Sequence, residues 1–437
     1  MPSLGRFWIL LAVILAGALA VRVGGACWWQ QRLGPEKKFE FPDSESYWGL
    51  AQAIAEGKPF ELSEHQQVFR TPGYPMLLAP LFWIGGPDIG VMPARLLGAV
   101  LGVMTVGLIA GLTRRLFGDT AALAAAVIAA LYPGAIGMSV FVLAEAAFCP
   151  LMILQLWLWV AAADRPGWKS AAALAASAGL VAGFATLVRP SWLLFTPFTA
   201  VVGFVFLRQR GRHLVVCGAM AAGLCLAMAP WWVRNYRVTG HFVPTTLQMG
   251  ASLYDGLNLR ADGGSDMRFV PEFSAAQRAD DAAAGRSRDG FEYRLDRRLR
   301  DAAVAWAREN PGQALGLAAI KVIRMWNLWP NFNDFRSWPM RLAVMAGYLP
   351  IMLGAVCGVM AFSRRGWPIA LCCMPAFYFT CLHVVFVSSI RYRQPAVMAL
   401  IVIAAAGWVE VIWPRIVGRR KDAAEPPDST PAAAASG

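Results

Sequence analysis

Apolar residues fall in blocks of roughly 20 along this chain, the length an α-helix needs to cross about 30 Å of hydrocarbon. Blocks near residues 7–27, 93–113, 119–136, 139–161, 170–188, 191–207, 213–232, 340–362, 367–387 and 395–413 predict about ten transmembrane helices. They carry no period-2 alternation, so helices rather than a barrel must satisfy the backbone in lipid. The expected fold is therefore all-α and polytopic. Ala18-Leu19-Ala20 offers a signal-peptidase site, but the apolar stretch runs on past it, which argues against cleavage.

The segments between the blocks are of two kinds. Residues 28–92 form a long outer loop of mixed polar and aromatic residues, broken by Pro42, Pro59, Pro72, Pro75 and Pro87. Interfacial helices are expected there, one starting near Asp43 as N-cap and running through Tyr47 and Ile54. Segment 313–329 is apolar but interrupted by Lys321 and Arg324. Counting it as a span would turn the later basic loops outward, so it is expected to be interfacial, within a second outer loop at 233–339. In that loop Asp262-Gly263-Gly264 suggests a hinge, and the Ala/Arg/Asp-rich stretch 275–303 a helical, solvent-exposed segment that could close as a lid. Residues 1–421 are expected to form one membrane domain, followed by a disordered cytoplasmic tail at 422–437.

Composition supports a membrane protein: 57% of positions are hydrophobic and only 15% charged, against about 25% charged in soluble domains. The net charge of +13 is spread over short loops, so it reads as membrane orientation and not as a nucleic-acid surface. Arg114 and Arg115, then Arg165 and Lys169, then Arg208, Arg210 and Arg212 fall on alternate loops, which places 28–92 and 233–339 on the non-cytoplasmic side. Seven of the eight cysteines lie inside apolar blocks and imply neither a disulfide frame nor a zinc site.

That parity gathers the unusual polar residues at one membrane surface. Asp43 and Glu45 sit at a helix entry, where a carboxylate could take a proton from an attacking hydroxyl. Arg391-Tyr392-Arg393 puts two cations at a helix start, a fork of donors suited to a phosphate, with Arg234 as a third. Arg70 and Tyr74 are aimed by the turn Arg70-Thr71-Pro72-Gly73-Tyr74-Pro75. Glu145, within an apolar run, must face the protein interior or a wet cavity. Arg189 ends another span. For each arginine the plain alternative is snorkelling to lipid phosphates, and for Asp43 a helix cap. His65 and His241 could hold a divalent metal, but two histidines without ligand spacing are a weak signal, and no cofactor is expected. P-loop, GxSxG and HExxH patterns are missing from the sequence, so ATP-driven and hydrolase readings lack support.

In this order the pieces resemble the C-type superfamily of membrane glycosyltransferases, particularly the bacterial relatives of protein O-mannosyltransferases and lipid A aminoarabinose transferases. The likeness rests on Asp43 with Tyr47 and Ala51, on Arg70-Thr71-Pro72-Gly73-Tyr74-Pro75, and on Leu143-Ala144-Glu145. Leu187-Val188-Arg189-Pro190, Pro230-Trp231-Trp232-Val233-Arg234-Asn235, and Arg391-Tyr392-Arg393 with Pro395 complete it. The resemblance implies a polyprenyl-phosphate-linked sugar as donor, a lipid, glycan or protein as acceptor, inversion at the anomeric carbon, and the first-loop aspartate, here Asp43, as base. It also implies a bacterial inner membrane with the site on its outer face. Ser44 separates Asp43 from Glu45 where several relatives carry adjacent acids. The rival reading is a transporter or lipid flippase, which predicts paired halves and broken helices at the midplane.

Overall fold

The computed structural model describes residues 4–34, 37–287, 289–331, 335 and 337–417; the expected tail at 422–437 lies outside them. Seventeen α-helices occupy the described residues. Among the described residues eight helices are long and apolar enough to cross a membrane. Seven of them are α1 (Leu4–Leu33), α4 (Met92–Phe117), α7 (Ala144–Ala163), α8 (Trp168–Val188), α10 (Arg210–Thr239), α15 (Trp338–Phe362) and α16 (Trp367–Val385). The eighth is α17 (Gln394–Ala406) with its continuation to Val417.

Two of the ten expected spans take another form. The third becomes α5 (Asp119–Leu131) and α6 (Pro133–Val140), bent by 55° at Tyr132. Pro133 lacks an N–H and disfavours helix at the residue before it, which frees carbonyls at the bend. In lipid such carbonyls need a protein partner. Arg22, buried in α1, supplies it, donating to the carbonyls of Ala129 (3.1 Å) and Ala130 (3.1 Å). The sixth, expected at 191–207, is a 3-10 turn at Pro190–Trp192 followed by the short α9 (Phe195–Phe206).

The spans pack through small residues, which let backbones approach closely. A Cβ added at Gly179 of α8 would lie 1.9 Å from the Met220 carbonyl oxygen of α10. Basic span ends meet at one end of the bundle: Arg115 pairs with Asp164 at 2.9 Å, Arg212 donates to the Ala163 carbonyl and Arg365 to that of Leu116. The sequence-predicted site residues lie toward the opposite end.

Beyond that opposite end are the shorter helices α2 (Pro42–Ala55), α3 (Gly73–Gly85), α11 (Met249–Gly256), α12 (Val270–Ala283), α13 (Phe291–Glu309) and α14 (Pro311–Trp326). The helix α14 is the segment expected to be interfacial, and at 16 residues it is not among the crossing helices. Its polarity is inverted, with Leu315, Ile320 and Ile323 exposed and Lys321 fully buried. The Lys321 ammonium donates to the Val385 and Val384 carbonyls at 2.7 and 3.3 Å. A cation thus satisfies the last carbonyls of α16, where the helix dipole also favours positive charge.

Candidate active site

The helix α2 starts two residues earlier than the sequence suggests. Phe41 is its N-cap, Pro42 its first residue, and no side chain caps it. The expected cap at Asp43 is therefore absent, because its carboxylate is taken by arginines from two other elements. Oδ1 accepts from Arg70 Nη2 at 2.6 Å and Oδ2 from Arg391 Nη1 at 2.9 Å.

Arg391, in the turn between α16 and α17, reaches a second carboxylate with its remaining donors. Its Nε lies 2.6 Å from Glu145 Oε1 and its Nη2 3.3 Å from Oε2. Glu145 is fully buried at the start of α7 and also pairs with Arg189 Nη1 at 2.8 Å. One guanidinium thus bridges two carboxylates, with Arg70 and Arg189 flanking it: three cations against two anions. Burial alone would raise the Asp43 carboxyl, but Arg391 and Arg70 outweigh it and hold it well below the usual carboxylate range. Burial would likewise depress the Arg391 guanidinium, but Glu145 and Asp43 hold its proton more tightly than usual.

Local sequence explains how these elements meet. A Cβ at Gly73 would lie 2.6 Å from the Leu187 carbonyl carbon, so glycine in the Arg70–Pro75 turn allows α3 to abut the end of α8 just before Arg189. Glu145 follows Val142, a β-branched residue at φ +54°. That left-handed conformation costs about 1–2 kcal/mol, and such backbone is found preferentially at functional sites.

The other expected site residues stand apart from this cluster. Tyr74 is buried one layer below, edge-on to Tyr47 at 5.2 Å, with Tyr47 in turn beneath the Arg70 guanidinium. Glu45 is exposed on α2. Arg234 donates to the Phe60 carbonyl at 2.7 Å. Arg393 is fully buried, donating to the Met325 and Asn327 carbonyls and lying over the Tyr348 ring. Of the expected phosphate-binding arginines, only Arg391 therefore lies in the cluster. His65 and His241 pack instead on the Phe291 and Tyr293 rings of α13. No group of three or more His, Cys, Asp or Glu suited to a metal occurs among the described residues.

Beside Arg391 opens an apolar cavity of about 300 Å³, walled by Trp29, Phe41, Ile136, Phe141 and Val344. Its polar lining includes Asn331, Ser389, Arg391 and Gln394, and Trp28, half exposed, also lines it. The bend between α5 and α6 forms one wall.

Residues 70–233 match the family described as Dolichyl-phosphate-mannose-protein mannosyltransferase. The match covers less than half of the chain. The matched stretch contains Arg70, Glu145 and Arg189, in agreement with the resemblance to C-type membrane glycosyltransferases. The archaeal oligosaccharyltransferase AglB from Archaeoglobus fulgidus, in complex with an inhibitory peptide and a dolichol-phosphate, superposes with a TM-score of 0.58 at 16% identity over 96% of this chain and 52% of that one. The apo form of the Archaeoglobus fulgidus oligosaccharyltransferase gives 0.57 at 16% identity over 95% and 52%. At this identity the likeness establishes the fold, and the chain spans about half the length of those structures. ArnT from Cupriavidus metallidurans bound to undecaprenyl phosphate, at TM-score 0.45, 16% identity and coverages of 96% and 81%, is too distant to argue from. No curated protein sequence matches the chain.

Sequence reasoning missed Glu292, which it grouped with a solvent-exposed charged stretch. Its Oε2 accepts from the backbone N–H groups of Gln67 (2.8 Å) and Val68 (2.9 Å), while its Oε1 is buried without a partner among the described residues. Burial pushes its carboxyl up to about 7, aided by Asp296 and opposed by the two N–H bonds and Arg234. A carboxyl raised above its ordinary value near 4.5 contributes stability that is full below that value and lost as pH rises through about 7. Thermal unfolding in detergent is accordingly expected to show wild type losing stability between pH 4.5 and 7 relative to Glu292→Gln, which cannot ionise. Parallel pH profiles for the two proteins would refute this assignment.

Proposed function

We propose that this protein is a glycosyltransferase that moves a hexosyl or pentosyl group from a polyprenyl-phosphate donor to an acceptor at the non-cytoplasmic surface, in a bacterial inner membrane. The observation that carries this reading is a paired-carboxylate cluster whose bridging guanidinium, Arg391, also lines an apolar cavity. A lipid-borne phosphate needs both halves: the cavity suits its isoprenoid chain, and Arg391 with its neighbours suits its phosphate. The family match over residues 70–233 supports the same class of reaction.

In this mechanism the acceptor oxygen attacks the anomeric carbon from the side opposite the phosphate. The bond between that carbon and the phosphate oxygen breaks with its electron pair left on phosphate, so configuration inverts. The acceptor proton passes to Asp43. Arginines that hold the departing phosphate more strongly than the bound ester lower the barrier. Before donor binds, Arg391 and Arg70 keep Asp43 a weak base; a phosphate that draws on those guanidiniums raises its basicity when an acceptor must be deprotonated.

Purified protein in detergent, given a polyprenyl-phosphate-linked sugar and a hydroxylic acceptor, is expected to release free polyprenyl phosphate and glycosylated acceptor in equal amounts. Movement of the intact donor across a vesicle bilayer without bond cleavage would instead favour a flippase and refute transfer.

A further inference from the structure

Arg70 has three hydrogen-bond partners. Two lie on α2: Asp43 Oδ1 at 2.6 Å and Ser46 Oγ at 3.1 Å. The third, Gln248 Oε1 at 3.1 Å, belongs to the second outer loop. The two backbone segments that set Arg70, residues 67–70 and 247–250, are joined to each other by Leu247 N–H donating to the Val68 carbonyl at 2.9 Å. Both are also gripped by one helix. Glu292 of α13 accepts from the N–H groups of Gln67 and Val68, and Asp296, one turn later, accepts from Gly250 N–H at 2.6 Å.

Residues i and i+4 share a helix face, so Glu292 and Asp296 stand side by side on the face of α13 that buries Phe291, Leu299 and Ala303. Two carboxylates on an otherwise apolar buried face are costly to desolvate, and one Glu292 oxygen has no partner there among the described residues. A helix selected for packing alone would carry leucine at these positions. The carboxylates instead convert α13 into a clamp on the main chain of the two segments that hold the Arg70 guanidinium.

We propose that Glu292 and Asp296 are positioning residues, through which α13 fixes Arg70 against Asp43 in the transfer site. The inference rests on the function proposed above for that site. It reaches beyond it by making the second outer loop part of the machinery through main-chain ties, and not only a platform or lid over the substrate.

The test uses full-length protein in detergent, with Glu292→Ala, Glu292→Gln and Asp296→Ala made in wild-type and Arg70→Ala backgrounds. A small displacement of a positioned group costs on the order of 10- to 100-fold in rate, and that loss is expected for Glu292→Ala with the fold retained. Glu292→Gln should stay within a few-fold of wild type, because its amide oxygen can accept the same two N–H bonds. With Arg70→Ala already present, Glu292→Ala should lower the rate no further. An equal loss in both backgrounds, or wild-type rate in Glu292→Ala, overturns the proposal; Asp296→Ala replaces Glu292→Ala should that variant not fold. If the wild type transfers no sugar, the proposed function fails on its own, and hydrogen exchange then decides the clamp. Faster exchange over 43–50 as well as at residues 67 and 68 in Glu292→Ala supports it, whereas a change confined to 67 and 68 overturns it.

Discussion

Replacing Asp43 with asparagine is expected to lower sugar transfer by about 10²- to 10⁴-fold, the contribution typical of a general base, while donor binding persists. The substitution keeps size and leaves the helix start undisturbed, since Phe41 and not Asp43 occupies the N-cap. Removing the carboxylate also frees Arg391 and Arg70, which now spend hydrogen bonds on it. Donor affinity should therefore hold or rise as turnover falls, a split that global damage would not produce. Near-wild-type turnover would remove Asp43 from proton transfer and move the search to Glu45, exposed on the same helix, or to Glu145.

The arginine pairing of Asp43 has a consequence for pH. A carboxyl held below its ordinary value contributes stability that is present above that value and lost as pH falls through the depressed one. The ion pairs at Asp43 are thus intact at neutral pH and fail only in strong acid. Glu292 behaves in the opposite sense, losing its contribution as pH rises from about 4.5 through about 7, whereas the Asp43 pairs lose theirs as pH falls into acid.

Much of this was legible in the sequence because lipid imposes simple rules. Blocks of about 20 apolar residues mark spans, and Glu145 inside one of them had to be paired, as it is with Arg391 and Arg189. The interruption by Lys321 and Arg324 correctly separated α14 from the crossing helices. Side-chain direction was less accessible. Arg391 and Arg393 are two residues apart, yet one bridges the carboxylates and the other is spent on carbonyls of residues 325 and 327. Nothing in Arg-Tyr-Arg distinguishes them, because a turn's dihedrals decide which residue faces the site. Glu292 was hidden for a different reason: in a stretch dense with charge, one buried carboxylate resembles its solvated neighbours. Its signal was the helical spacing of Phe291, Asp296, Leu299 and Ala303, which places an acid on the buried stripe.

Arg391→Ala is expected to be the most disruptive single change at the site, in both stability and rate. Among the described residues its guanidinium is the only one that forms ion pairs with both Asp43 and Glu145, with a two-pronged grip on Glu145. Removing one member of a buried charged pair costs roughly 3–5 kcal/mol because the other charge stays behind; here Arg189 remains beside Glu145, so the lower end of that range is expected. Transfer should fall by at least about 10²-fold, as when one preorganised donor to a developing oxyanion is lost. Lysine at the same position supplies a point charge that can reach one carboxylate but cannot span both, so Arg391→Lys should fall between wild type and alanine. Glu145→Gln added to Arg391→Ala tests how the remaining charge is held. With Arg391 gone, Arg189 is the cation left beside Glu145, so neutralising that carboxylate strands the arginine and should lower thermal stability further. It should recover none of the transfer rate, because a glutamine restores no cation for the phosphate. A double variant more stable than Arg391→Ala would mean that Arg189 does not compensate Glu145 once the bridge is lost.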